Sequence, residues 1–204
     1  MRVCSIVLLS VLLGGAAAAR AQDVVAGVKG GVGFAGIQFI EEDDDIDFDR
    51  RTGFTGGGFV VWPANARFGL QLEALYSQKG ARLRADDARV DLNLDYLDLP
   101  VLLRVSTPRN TNGTGFHFFG GPSFGVRVRA KATATFEGQT GTEDVGDDLA
   151  SHDIGIVAGG GVDVGRFVVD VRQVWGLTNI NRNPDEDDTT IRNRVFAVMA
   201  GVRF

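Results

Sequence analysis

Five pairs of aromatic residues stand eight positions apart along this chain: Phe54 and Trp62, Phe68 and Tyr76, Phe116 and Phe124, Phe167 and Trp175, and Phe196 and Phe204. Eight is an even step, so in an extended strand both members of a pair lie on one face. The same face carries the apolar residues of each segment. Phe68, Leu70, Leu72, Ala74 and Tyr76 alternate with Gln71, Glu73, Ser77 and Lys79. Phe116, Phe118, Pro122, Phe124, Val126 and Val128 alternate with His117, Ser123, Arg127, Arg129 and Lys131. At ~3.3 Å per residue, eight residues advance about 26 Å, or about 20 Å vertically in a strand tilted near 40°. That is close to the ~25 Å apolar band, rimmed by aromatic girdles, of a membrane β-barrel. An ordinary β core has no reason to repeat this spacing. The apolar face is therefore expected to look outward onto lipid.

The segments number eight, at about 24–37, 52–62, 67–80, 91–105, 116–131, 153–164, 167–178 and 192–204. Pro100 and Pro122 fall inside segments, where proline removes a ladder donor, and are expected at bulges or edge-like positions. The links alternate in character. Links one, three, five and seven are mostly long and acidic, with Glu41, Glu42, Asp43, Asp44 and Asp45 in the first, a charged 81–90 as the third, 132–152 as the fifth, and Asp185, Glu186, Asp187 and Asp188 in the last. Links two, four and six are short or rich in turn formers: 63–66, 106–115 and Gly165-Arg166. An up-and-down meander places odd links at one end and even links at the other, as in barrels with short periplasmic turns and longer outer loops. The expectation is an all-β, eight-stranded antiparallel up-and-down transmembrane β-barrel with both termini periplasmic.

The polar face then lines a lumen that eight strands leave just wide enough for side chains. Lys29, Glu73, Asp98, Arg104, Arg127, Arg129, Asp163, Asp170, Arg172 and Arg203 are the interior candidates, with both signs present for a plug of salt bridges. Gly27, Gly31, Gly33, Gly57, Gly121, Gly125, Gly155, Gly159 and Gly161 are expected to make room for them. The alternative is a soluble periplasmic lipocalin-like barrel with the apolar face inward around an apolar small molecule.

The first 21 residues read as a cleavable export signal: Arg2, an apolar run over 6–13, and Ala19-Arg20-Ala21 before Gln22. Residues 22–204 then form the barrel domain. Cleavage removes Cys4, the only cysteine, so neither a disulfide framework nor a cysteine zinc site is available. Loss of Arg2 and Arg20 takes the formal net charge from -5 to -7, against a nucleic-acid partner.

Catalysis has little to work with. The two histidines are His117, expected inside near the even-link end, and His152, which with Asp153 is expected to be solvated beside a loop. Ser123 shares the face of His117 but lies about 20 Å along the strand, too far for direct proton transfer. No catalytic, cofactor or metal residue is assigned. The acidic runs at 41–45 and 185–188 lack the spacing of a calcium loop and read as solvated. A divalent cation bridging them to lipid head groups is the sharper alternative.

Several stretches resemble the PorT-like outer-membrane β-barrel domain proteins of Bacteroidetes-type bacteria: GVKGGVGFA at 27–35, LQLEALYSQKG at 70–80, YLDLPVLL at 96–103, GGPSFG at 120–125, GLTN at 176–179, and NRVF at 193–196 running on to Phe204. The resemblance implies an eight-stranded outer-membrane barrel and implies no catalytic residues; the barrel is expected to be monomeric and in contact with outer-membrane lipid. Phe204 resembles the C-terminal signal read by the outer-membrane assembly machinery. The family's naming member is linked to secretion and gliding-type export, so the resemblance suggests an accessory role in secretion or envelope assembly, although most relatives have no assigned role.

Overall fold

The computed structural model describes residues 24–40, 49–85, 88–136, 139–144, 150–178 and 190–204. They form nine strands: β1 (Val25–Ile40), β2 (Asp49–Pro63), β3 (Phe68–Ala85), β4 (Ala88–Ser106), β5 (Thr114–Phe136), β6 (Gln139–Asp144), β7 (His152–Val164), β8 (Phe167–Gly176) and β9 (Thr190–Arg203). Every pairing is antiparallel. Eight strands close a ring, in the order β4-β3-β2-β1-β9-β8-β7-β5, with β5 returning to β4. Closure leaves the ring without an open edge, the condition for placing a sheet in lipid. The first and last strands seal against each other in register from Gly27↔Arg203 to Ile40↔Thr190.

The ninth strand corrects the expected loops. β6 pairs with the far end of β5, from Lys131↔Asp144 to Phe136↔Gln139, inside the stretch assigned to link five. The charged third link is likewise mostly strand, since β3 and β4 stay paired up to Ala85↔Ala88. Beyond the lipid band a strand no longer needs an apolar outer face, so charged sequence such as Arg82, Arg84 and Asp91 can continue a ladder that the polarity pattern alone reads as ended. The acidic runs at 41–45 and 185–188 lie outside the described residues.

The short links close as their composition demands. Val164 pairs with Phe167 around Gly165-Arg166, with Gly165 at φ 58°, the left-handed region that hairpin turns require. In the β2–β3 turn the Asn65 side-chain oxygen accepts from the backbone N–H groups of Arg67 and Phe68 at 2.9 Å. In the β4–β5 turn Asn110 does the same for Asn112 and Thr114.

The prolines do not sit at a bulge. Pro100 and Pro122 are on facing strands, where the β4–β5 ladder is interrupted between Pro100↔Ser123 and Leu103↔Gly120 and resumes in the same register. The β4–β5 register shift lies further along, between Asp95 and Tyr96, where Asp95 pairs with Arg129 and Tyr96 with Arg127. Val128 is the extra residue. An odd insertion inverts the inside–outside parity of everything beyond it. Ala130 is therefore buried, and Arg129, expected inside, is exposed.

Candidate functional site

The outer surface is apolar. Phe54, Tyr76, Phe124, Trp175 and Phe196 are all exposed on the side of the odd links. Trp62, Phe68, Phe116, Phe167 and Phe204 are exposed beside the short links and the C-terminal end. Between these two belts the exposed side chains include Leu70, Val101, Leu103, Ile156, Val169, Val171 and Val198. In water, a wall of this kind would leave far more apolar surface uncovered than the few hundred Å² typical of a soluble monomer. In lipid it is the solvated face.

The lumen is the inverse. Glu73, on β3, is 5% exposed and Asp170, on β8, is 1% exposed. Lys29 of β1 bridges them, its Nζ 2.7 Å from Glu73 Oε1 and 2.7 Å from Asp170 Oδ2. Arg172 donates two hydrogen bonds to Glu73, at 2.6 and 3.1 Å, and a third to Asp170 at 3.4 Å. His117 Nε2 lies 2.7 Å from Asp170 Oδ1, and its Nδ1 is 3.5 Å from Asp163. Arg104 then joins Asp163, at 2.8 Å, to Gln71, also at 2.8 Å. Six strands thus contribute titratable groups to one connected cluster. A second, smaller cluster lies towards the odd-link end, where Lys79 meets Asp98 at 2.9 Å and Asp153 at 3.8 Å.

Aromatic faces complete the packing around the cations. Lys29 Nζ stands 5.1 Å from the Phe59 ring centre, the Arg172 guanidinium 4.9 Å from Phe119, and Lys79 4.5 Å from Tyr96. Such contacts hold a cation where water is scarce. Apolar side chains fill the remaining space: Leu75, Ala197 and Met199 form one group, and Leu102, Phe119 and Val157 another. An internal cavity of about 30 Å³ beside Ser123, Lys79 and Asp98 has room for a water molecule.

Charge is balanced across this interior. Lys29, Lys79, Arg104, Arg127, Arg172 and Arg203 face Glu73, Asp95, Asp98, Asp153, Asp163 and Asp170. Burial of charge is costly, so near-neutrality is a condition for a filled lumen. All of the expected interior charges except Arg129 are where the alternation puts them, Arg127 being only partly buried. Lys79 and Asp153 also belong inside. Asp153, expected to be solvated, points into the lumen on the same parity as Asp163, whereas its neighbour His152 is exposed.

Glycine serves the lumen in two ways. A Cβ at Gly161 would meet the Val169 carbonyl oxygen of the neighbouring strand and would also stand 2.8 Å from His117 Cε1 and 2.7 Å from Asp170 Oδ1, so this glycine makes room for the ion cluster as well as for the backbone beside it. At Gly31, Gly57, Gly121 and Gly155 the crowding atoms are instead the backbone of the neighbouring strand. Those positions answer to the tight curvature of a small barrel rather than to a long side chain.

The lumen carries no catalytic arrangement among the described residues. His117 contacts two carboxylates and stacks on Phe119 at 5.9 Å, and no hydroxyl reaches it. Ser123 lines the small cavity of the other cluster. Where a lipocalin-type barrel would hold an apolar ligand, ion pairs occupy the lumen among the described residues.

The model of the outer membrane protein beta-barrel domain family matches residues 20–182. The chain belongs to that family. Outer-membrane residence thus agrees with the lipid-facing belts. Among solved structures this outer-membrane barrel is similar to Ail, the attachment invasion locus protein of Yersinia pestis, crystallised with the heparin analogue sucrose octasulfate, at 14% identity and TM-score 0.45 over 89% of this chain and 99% of that one. Neisserial surface protein A is similar at 11% identity and TM-score 0.48 over 89% and 97% of the two chains. The N-terminal β-barrel domain of Pseudomonas aeruginosa OprF is similar at 12% identity and TM-score 0.34 over 87% and 97%. No curated protein gave a significant sequence match.

Proposed function

We propose that this barrel is a non-enzymatic interaction protein of the outer membrane, working through the surfaces at its odd-link end. The observation that carries this reading is the asymmetry of the two ends. The even links are short turns beside one aromatic belt, whereas β3, β4 and β5 run well past the other belt and β6 is added there. Strand so far beyond the lipid band has no part in spanning the membrane and is available to contact something else. The acidic links at that end add charge, with Glu143 exposed on β6. In this reading residues 1–21 are removed on export, residues 22–204 form the mature barrel, both termini are periplasmic and the odd links face outward. Phe204, exposed at the end of β9, is the residue offered to the assembly machinery. The kinship suggested by the quoted motifs is with PorT-like barrels, and a role beside a secretion or assembly system is the form of interaction that kinship favours.

Fractionation with protease treatment of intact cells tests location and orientation together. The expected result is recovery in the detergent-extracted outer membrane, with cleavage within 132–152 and protection of the 107–113 turn. Recovery in the soluble fraction, or cleavage at 107–113 in intact cells, would overturn the reading.

A further inference from the structure

The even-link end of the lumen opens into a cup of about 380 Å³, within the range of small-molecule sites. Its wall is made by the ends of β1, β2, β3, β4, β7 and β9 and by the β2–β3 and β4–β5 turns. Four arginines line it: Arg67, Arg104, Arg109 and Arg203. The one carboxylate there, Asp163, is shared at 2.8 Å by Arg104, 3.7 Å by Arg203 and 3.9 Å by Arg109, and also serves His117. Four guanidinium groups thus share a single carboxylate at this mouth.

Three of the four have unused donors. Arg203 is nine-tenths buried, and its Nε has no acceptor among the described residues although its Nη2 donates to the Gly165 carbonyl. Arg67 makes no side-chain hydrogen bond or ion pair among the described residues, and Arg109 reaches only the distant Asp163. Buried donors are normally satisfied, and a group of planar forks without enough acceptors is a common form of oxyanion site. A carboxylate would bring one charge and two oxygens, whereas a phosphate monoester brings about two charges and three free oxygens. That is enough to engage more than one fork at once.

We propose that this cup binds a phosphate group, with Arg203 at its floor and Arg67 and Arg109 closing on it from the two turns. The group could be carried by a small phosphorylated solute or by a lipid head group, because Trp62 and Phe68 of the adjacent belt set the mouth at head-group level.

The test uses the full barrel folded in zwitterionic detergent and titrated with inorganic phosphate, read by calorimetry and by Trp62 fluorescence. Saturable binding is expected, weakened at least 10-fold in the Arg67→Ala/Arg109→Ala double variant. Both residues are exposed, so heat-modifiable gel migration of the variant should match that of the parent. Nanodiscs of phosphatidylcholine with and without phosphatidic acid distinguish the sources. Loss of phosphate binding when phosphatidic acid is present assigns the site to lipid, and unchanged binding assigns it to a solute. Absence of saturable binding, equal binding by the folded double variant, or equal competition by acetate at matched ionic strength would each overturn the proposal.

Discussion

Replacing Glu73 with Gln removes one negative charge from the centre of the lumen while keeping the side-chain shape. Glu73 accepts from Lys29 at 2.7 Å and from Arg172 at 2.6 and 3.1 Å, and both cations are then left with Asp170 as their nearest carboxylate. The amide also turns two donors towards groups that are themselves donors. Breaking a buried ion pair by removing one partner costs about 3–5 kcal/mol, because the remaining charge stays buried. That corresponds to a folding equilibrium shifted by roughly two to four powers of ten. Adding Arg172→Met restores the balance of charge and leaves Lys29 with Asp170. The double variant should therefore recover part of the loss, with a coupling energy of about 1–3 kcal/mol. Urea unfolding of the barrel in lipid vesicles, read by tryptophan fluorescence and by heat-modifiable migration, gives both numbers. A cost for Glu73→Gln below about 1 kcal/mol, with no coupling to Arg172→Met, would refute the dry, charge-balanced lumen and point to a hydrated one.

Val171 lies midway between Phe167 and Trp175 on the outer face, so Val171→Arg should cost about 2–4 kcal/mol in vesicles, whereas Val164→Arg, near the even-link rim, should cost about 0–1 kcal/mol. Equal costs at the two depths in the same urea titration would contradict the placement of the lipid band. Gly161→Ala should destabilise by about 1–3 kcal/mol through overpacking, since the new methyl group meets the Val169 carbonyl oxygen as well as His117 and Asp170, and a midpoint unchanged from the parent would show that strand and cluster both yield.

Much of this barrel is legible because lipid makes outward polarity informative. Where the wall must be apolar, the aromatic step from Phe68 to Tyr76 or from Phe167 to Trp175 reports strand, face and depth together. The same parity places Lys29, Glu73, Asp170 and Arg172 inside without reference to any partner. Legibility ends where that constraint ends. Past the belts, β6 and the far parts of β3 and β4 carry polar sequence that either a strand or a loop could have. The bulge at Val128 has no glycine to mark it, so Arg129 follows an alternation that the backbone has already inverted. Tyr96, Phe59 and Phe119 were equally hidden, because an aromatic ring in the lumen is chosen to cover a cation rather than to fit a repeating pattern. The arginine cup is assembled from two turns and six strand ends, many of them far apart in sequence, and nothing local announces it.

From Phe124 to Phe136, β5 advances about 40 Å along its own axis, or about 30 Å in height at a tilt near 40°. With β3, β4 and β6 beside it, that rise is a hydrogen-bonded crest on one flank of the ring. A body meeting this end of the barrel from the side would encounter paired strand there. Contact made at the tip would act on the barrel through a lever arm longer than the lipid band is thick, so a pull at the crest would register as torque on the ring rather than as lift.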